Sequence, residues 1–159
     1  MLQLTRKTDY ALVALSHLGH RRAADAGPTS ARRVSEAYNM PLPLLMNILK
    51  ELAQARLVRS TRGATGGYEL AVDPAEVNLL DVVTAIEGPV KLTPCCDDAP
   101  NVEHSCGLEA NCPIQYSIRA LHRRITGFMQ QVTLHELMQD LPAPEPLVKL
   151  GLHAPDPQP

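Results

Sequence analysis

Two short predicted helices and the glycine-rich hairpin after them most strongly limit the folds open to this chain. The second helix, over residues 42–57, carries leucine and isoleucine at i, i+3, i+4 and i+7, which predicts one buried side. The first covers residues 31–39, with Thr29 or Ser30 as its cap, and the turn at 39–41 separates the two. Such a pair is typical of a helix-turn-helix, although an ordinary helical hairpin fits these residues equally well. The apolar positions of the second helix are Leu45, Ile48, Leu49 and Leu52.

The segment "LVRSTRGATGGYELAV", residues 57–72, favours the DNA-binding interpretation. It has two β-prone runs around "RGATGG", which predicts a hairpin with a basic, glycine-rich tip. A hairpin directly after such a helix makes the winged variant of the motif. Glycine allows the backbone to approach a phosphate-lined minor groove closely, and the positive charge of arginine is attracted to the negative potential of that groove. Arg59 and Arg62 are therefore candidate DNA contacts, with solvated hairpin charges as the other interpretation.

The rest of the chain predicts further helices. We expect one from about Thr5 to Leu18, a short one within residues 75–88, and a long one from about Pro113 to Gln131. The expected fold is mainly α: a winged helix-turn-helix with a long C-terminal dimerisation helix. The domains follow as residues 1–88 (DNA binding), 89–112 (cysteine-rich loop), 113–138 (dimerisation helix) and 139–159 (disordered Pro-rich tail).

The long helix carries a regular apolar seam. Its positions are spaced 4, 3, 4, 3 and 4 residues apart, an a/d pattern of two and a half heptads. The pattern fits packing within one domain, and it also fits a symmetric dimer, which we favour because winged-helix proteins usually read two half-sites. The seam consists of Ile114, Ile118, Leu121, Ile125, Phe128 and Val132.

Charge is distributed unevenly along the chain. Residues 1–62 hold ten Lys and Arg against four Asp and Glu, whereas the remainder holds five against thirteen. A basic first half suggests a polyanionic partner such as double-stranded DNA. On residues 42–57, Asn47 suits a bidentate contact to adenine, and Pro43 and Leu44 suit a thymine methyl. Three cations are candidates for phosphate contacts: Arg32, Arg33 and Lys50.

Composition excludes several classes of protein. The 159 residues contain no apolar run long enough for a bilayer, and charges within the N-terminal segment argue against a signal peptide. We therefore expect a soluble cytoplasmic protein, in which structural disulfides are uncommon. No phosphate-binding loop, nucleophile–base set or paired carboxylates point to an enzyme.

All four cysteines lie in residues 94–112, "PCCDDAPNVEHSCGLEANC". Their spacing leaves three interpretations open. Zinc is the commonest partner of clustered cysteines, and His104 could complete a set, but typical C-x2-4-C knuckles are missing. A wide, irregular loop can instead wrap around an iron–sulfur cluster. Redox-active or inert thiols are the third interpretation.

Three motifs resemble one known family. "LTRKTDYALVAL", "LVRSTRGATGGYEL" and "CGLEANCP" look like the bacterial iron–sulfur-sensing winged-helix regulators of the IscR/NsrR type, particularly the SUF-system cluster-assembly regulators. The resemblance covers about residues 1–138. It implies a homodimeric transcriptional repressor whose operator affinity depends on an iron–sulfur cluster, [2Fe–2S] or [4Fe–4S], one per subunit. A zinc-stabilised or thiol-switch repressor is the alternative.

The resemblance also implies a ligand set. Cys95, Cys106 and Cys112 match the three cysteine ligands. Adjacent side chains are expected to point differently, so Cys96 is an extra thiol that could substitute. The IscR-type histidine is replaced by Gln115, which leaves the NsrR-type aspartate of the first helix, Asp9, as the fourth ligand from the partner subunit.

Overall fold

A computed structural model describes residues 4–63, 66–96 and 111–139, and the first helix α1 (Arg6–Ala23) is the element around which the others pack. The Thr5 side chain caps α1 by accepting a hydrogen bond from the Thr8 N–H. Helix α1 continues beyond the predicted end at Leu18. Basic residues in its last turn suit the negative end of the helix dipole, which explains the extension.

The predicted helix-turn-helix follows. Helix α2 (Ala31–Tyr38) is capped by the Ser30 hydroxyl, and the left-handed Asn39 (φ 51°) ends it. Helix α3 (Leu42–Gln54) then begins with proline in its first turn. An N–H at that position would have no carbonyl partner within the helix, so its absence in proline costs no hydrogen bond. The predicted apolar stripe of α3 is fully buried.

A two-stranded antiparallel sheet forms the wing. Strand β1 (Val58–Thr61) pairs with β2 (Gly67–Leu70), and Thr29 extends the sheet by exchanging two backbone hydrogen bonds with Tyr68, at 3.0 and 2.8 Å. The backbone of Thr29 occupies the space that a Cβ atom on Gly67 would need. Glycine is therefore required there to admit the third strand segment.

The second half differs from expectation in where its helices begin and end. Helix α4 (Leu79–Glu87) starts at a capping box rather than near residue 75, and Pro94–Cys96 forms a 3₁₀ turn, called here the cysteine turn. Helix α5 (Gln115–Gln131) begins after Pro113, and a separate helix α6 (Leu134–Met138) follows it. The long helix expected from about Pro113 to Gln131 corresponds to α5, and residues 113–138, expected to form the dimerisation segment, also contain α6.

The break between α5 and α6 has a physical cause. Extended backbone at Val132 accepts a hydrogen bond from the Leu79 N–H (2.8 Å), and the Leu134 N–H donates to the Val77 carbonyl (2.7 Å). This short pairing turns α6 back onto α1 and buries Leu134 completely in the core. Burying a leucine side chain contributes about 1.5–3 kcal/mol, more than continuing one exposed helical turn.

The core is aliphatic and lies between α1, α3, α4, α6 and the wing. Its largest fully buried apolar side chains are Leu15, Leu18, Leu45, Ile48, Leu49, Leu52, Leu70, Leu134, Val34, Val77 and Val82. In the parts of the chain that the structure describes, no helix combines the length and apolarity needed to cross a membrane.

Candidate nucleic-acid interface and cysteine site

The free side of α3 presents a mixed polar and apolar surface. Pro43, Asn47 and Lys50 are exposed, as expected for base and phosphate contacts. Leu44 is only half-buried and packs partly against the core, so less of it is available to a thymine methyl. Met46, also on α3, is 51% exposed. An apolar side chain of this size on a free helix face is a further candidate contact.

An ion pair borders this surface. The Lys7 ammonium lies 2.8 and 2.7 Å from the two carboxylate oxygens of Glu51, beside a cavity of about 270 Å³ that Leu44, Asn47 and Lys50 also line. Sequence reasoning missed Lys7, because only the packing of α1 on α3 brings it here. The pair holds the start of α1 against the side of α3 that carries the candidate contacts.

Helix α2 carries two exposed candidate phosphate contacts, Arg32 and Arg33, in its first turn. Its end is held against α1 by an edge-to-face contact of Tyr38 with His17, whose Nδ1 lies 3.2 Å from the tyrosine oxygen. Burial lowers the pKa of His17, and the positive charge of Arg21 and other nearby cations lowers it further. The ring is therefore neutral at physiological pH.

The two wing arginines differ in their surroundings. Arg59 lies opposite Glu69 in the sheet register, and its Nε donates to the Glu69 carboxylate at 2.9 Å, which raises the pKa of the guanidinium. Arg62 is exposed just beyond β1, before Gly63 adopts a φ of 118° that favours glycine. Of the two, Arg62 is the better placed to meet a phosphate, since Arg59 has a carboxylate partner.

The cysteine turn is buried against α5. Cys95 and Cys96 are each 4% exposed, and both are free thiols. The Cys95 carbonyl accepts a hydrogen bond from Arg119 Nε (2.7 Å), and Cys96 Sγ lies 3.9 Å from the Ile118 carbonyl oxygen. These contacts attach the turn to the first half of α5.

The two sulfur atoms of the cysteine turn approach the same polar atom. Cys95 Sγ is 3.1 Å and Cys96 Sγ 3.3 Å from the same atom, the Thr93 hydroxyl oxygen. The 3₁₀ backbone separates successive side chains by less than the half-turn of an extended strand, so both can reach one side. Two adjacent cysteines can therefore lie near the same hydroxyl group.

The other proposed ligands occupy different parts of the chain. Cys112 is half-buried and precedes α5, whereas Asp9 is exposed in the first turn of α1. Cys106 and His104 lie outside the described residues. Gln115, which replaces a histidine ligand, is the first residue of α5.

The described residues include the type of ligand that a thiolate-bound metal ion or iron–sulfur cluster requires. Three free cysteines, Cys95, Cys96 and Cys112, offer the soft sulfur ligands that iron–sulfur clusters use. Within residues 4–63, 66–96 and 111–139, no three Cys, His, Asp or Glu side chains of this one chain come together as a metal-binding group. The complete set thus needs Cys106, a partner subunit, or both.

The seam of α5 divides into two rows. Ile114, Leu121 and Phe128 are 60%, 47% and 51% exposed, while the alternate positions Ile118, Ile125 and Val132 are half-buried. The buried side of α5 is formed instead by His122 and Met129, and the helix packs against α4 and the cysteine turn. One apolar row of α5 therefore lies on the surface of a single chain.

The sequence profile of the Rrf2 family, described as iron-dependent transcriptional regulators, matches residues 4–140. Among curated relatives, the chain is 31% identical over 139 residues to the HTH-type transcriptional regulator IscR of Vibrio cholerae, covering 87% of this chain and 76% of that protein. It is also 31% identical over 139 residues to IscR of Aliivibrio salmonicida, covering 87% and 79%.

Solved structures share the same fold. CymR (YrzC), the global cysteine regulator of B. subtilis, superimposes with a TM-score of 0.66 at 25% identity, covering 87% of this chain and 97% of that one. The T. potens IscR structure, at 24% identity, superimposes with a TM-score of 0.64 and covers 86% of each chain. These likenesses confirm the expected winged helix-turn-helix. The chain is thus a member of the Rrf2 family of helix-turn-helix transcriptional regulators, which are not enzymes.

Proposed function

We propose that this regulator is a homodimeric repressor whose operator affinity is controlled by an iron–sulfur cluster, with cluster-assembly genes of the SUF type as its targets. The observation that carries the proposal is the attachment of a buried, free-thiol turn to α5, the same helix that bears the exposed apolar row. A ligand site and a candidate subunit interface thereby share one rigid element.

Operator binding would use the exposed side of α3 with the wing and α2. Asn47 would read a base edge, because its amide can donate to and accept from adenine at once. Lys50, Arg32, Arg33 and Arg62 would contact phosphates, which position the protein without specifying sequence. All of these side chains are exposed, which such contacts require.

The cluster would be held by Cys95, Cys106 and Cys112 with Asp9 of the partner subunit. The support from the described residues is that Cys95 and Cys112 are free thiols and that Asp9 is exposed, as a residue serving another chain must be. When bound, the cluster would supply metal–sulfur bonds that join these segments and one exchangeable metal–oxygen bond.

The chain's own contacts provide a route from the cysteine turn to the DNA-binding domain. Arg119 fixes the turn to α5, and the end of α5 is bonded through Val132 to Leu79 at the start of α4. Helix α6 then packs on α1. A change of conformation at the turn would therefore alter the position of α5 relative to α1. Because half-site spacing follows the helical repeat of DNA, a small change in subunit orientation would alter operator affinity.

Dimerisation would cover the exposed row Ile114, Leu121 and Phe128. Three large apolar side chains on one stripe of a helix favour burial. Because each is already about half covered, each would gain about half of the 1.5–3 kcal/mol that burying a fully exposed side chain contributes. A second copy of α5 offers the same stripe, so a two-fold pairing would match like with like.

The deciding experiment is an anaerobic purification with iron, acid-labile sulfide and zinc measured per chain, together with the visible spectrum. We expect a coloured protein containing iron and sulfide, and loss of both in the Cys95→Ser/Cys106→Ser/Cys112→Ser variant. Operator affinity, measured by gel shift at fixed salt, should differ between the coloured and the cluster-free protein. A colourless protein with one zinc per chain would refute cluster control.

A further inference from the structure

The cysteine turn contains one more thiol than the proposed ligand set uses. Cys95 and Cys96 are consecutive, free and each 4% exposed, and both sulfur atoms lie within 3.3 Å of the Thr93 hydroxyl oxygen. Two soft donors thus face one point inside a region shielded from water.

We propose that Cys95 and Cys96 form a vicinal dithiol site for one soft, low-coordinate cation of the Cu(I) class. Thiolates select soft cations, and Cu(I) accepts as few as two sulfur ligands. Structural zinc needs four ligands, whereas the described residues bring no three metal-binding side chains together here. Two sulfur ligands therefore match the coordination demand of Cu(I).

The charge around the turn supports a bis-thiolate complex. Binding releases two thiol protons to the solvent and forms two Cu–S bonds, with no change in oxidation state, so the complex carries one net negative charge. Arg119 donates its Nε–H to the Cys95 carbonyl at 2.7 Å, which fixes a guanidinium beside the turn. The Thr93 hydroxyl can donate to a thiolate from its observed position. Both groups stabilise the anionic complex.

Occupancy of this site would compete with the proposed cluster, because Cys95 belongs to both. The dithiol itself does not depend on the cluster proposal: it uses Cys96, which that ligand set leaves out, and it does not require Cys106, Cys112 or a partner subunit. A failure of either proposal leaves the other intact.

The test titrates the full-length, reduced, metal-free chain anaerobically with Cu(I) against the coloured chelator bathocuproine disulfonate. The Cys106→Ser/Cys112→Ser variant keeps only the vicinal pair, since the chain has four cysteines. We expect it to bind one Cu(I) with the affinity of the unaltered chain. Adding Cys95→Ser or Cys96→Ser should weaken binding by at least about 100-fold, the upper range for loss of a supporting residue around a metal.

Far-UV circular dichroism and thermal unfolding check that each variant folds, and Cys96→Ala serves as a second replacement at that position. Unchanged affinity on loss of Cys96, or loss of copper binding in Cys106→Ser/Cys112→Ser, would overturn the site. Copper X-ray absorption of the unaltered chain gives an independent answer that needs no variant. Two sulfur neighbours are expected, and three or more would contradict the proposal.

Discussion

The Glu87 carboxylate, at the end of α4, accepts a hydrogen bond from the buried hydroxyl of Thr8 in the first turn of α1. The same carboxylate oxygen accepts the Thr5 N–H at 3.1 Å. One side chain thus joins the start of α1, next to Asp9, to the point where the chain leaves α4 toward the cysteine turn. These hydrogen bonds, the Thr8 bond first among them, lower the pKa of Glu87 below its usual 4.5.

The lowered pKa predicts a pH-dependent contribution to stability. Because the folded state favours the carboxylate, the contribution is complete above pH 4.5 and is lost as the pH falls through the folded-state pKa. Glu87→Gln should cost about 1 kcal/mol at neutral pH, since solvent exposure reduces the value of a charged hydrogen bond. Urea unfolding from neutral to acidic pH measures this difference, which should shrink at low pH. The exposed Glu76→Gln is the control; an equal loss there would contradict a specific role for Glu87.

Gly67 and Gly19 should differ in how much an added methyl group destabilises the fold. At Gly67 a Cβ would meet the backbone of Thr29, which cannot move without breaking the bridge to Tyr68. At Gly19 its close contacts would be with the flexible end of Met138, and Leu70 Cδ1 would lie at an ordinary van der Waals distance of 3.5 Å. Gly67→Ala should therefore destabilise the fold by about 2–3 kcal/mol and Gly19→Ala by less than about 1 kcal/mol. Denaturant unfolding of both variants gives the comparison; equal losses would show that the wing tolerates displacement of Thr29.

The candidate DNA contacts predict two distinguishable effects. Arg62→Ala should weaken binding to operator and unrelated DNA alike and reduce the slope of log affinity against log salt by about 1. Asn47→Ala should cost about 1–3 kcal/mol on the operator and relax the preference at one base pair. Fluorescence anisotropy over a salt series measures both effects. Arg124→Ala on α5 removes the same charge elsewhere, and an effect equal to that of Arg62→Ala would remove the wing from the interface.

The exposed row of α5 predicts a dimer that depends on specific apolar contacts. Leu121→Ala/Phe128→Ala should shift the protein toward monomers, because both side chains are about half exposed in the single chain. Met129→Ala, on the buried side of the same helix, should instead lower the free energy of unfolding by about 2–5 kcal/mol. Sedimentation equilibrium measures the molecular mass and so separates loss of the dimer from a loss of fold stability alone. A monomeric unaltered chain, or an unchanged mass in the double variant, would refute dimerisation through this row.

Local signals in the sequence were sufficient for much of the fold. The four-residue apolar stripe of α3 and the glycine-rich wing were predicted correctly, because helix and hairpin preferences act over a few neighbouring residues. The break before α6 also had a local signal that was missed. Thr133 and Glu136 form a capping box, a pattern three residues apart that marks a new helix start.

The site depended more on contacts between distant segments. Only strand pairing places Glu69 opposite Arg59, and only the packing of α1 on α3 brings Lys7 to Glu51. The direction of the Cys96 side chain depends on whether residues 94–96 form an extended segment or a 3₁₀ turn, which the bonds of Arg119 and Ile118 from α5 help to stabilise.

The sequence by itself therefore determined the family, the helix-turn-helix and the kinds of ligand available, because these follow from residue types and short spacings. The tertiary structure decided which side chains meet: the two sulfur atoms at Thr93, the carboxylate of Glu87 at Thr8, and the apolar row that α5 leaves uncovered. These contacts join residues that are far apart in the chain, or they depend on a backbone conformation that other segments stabilise. Short-range sequence preferences do not determine them.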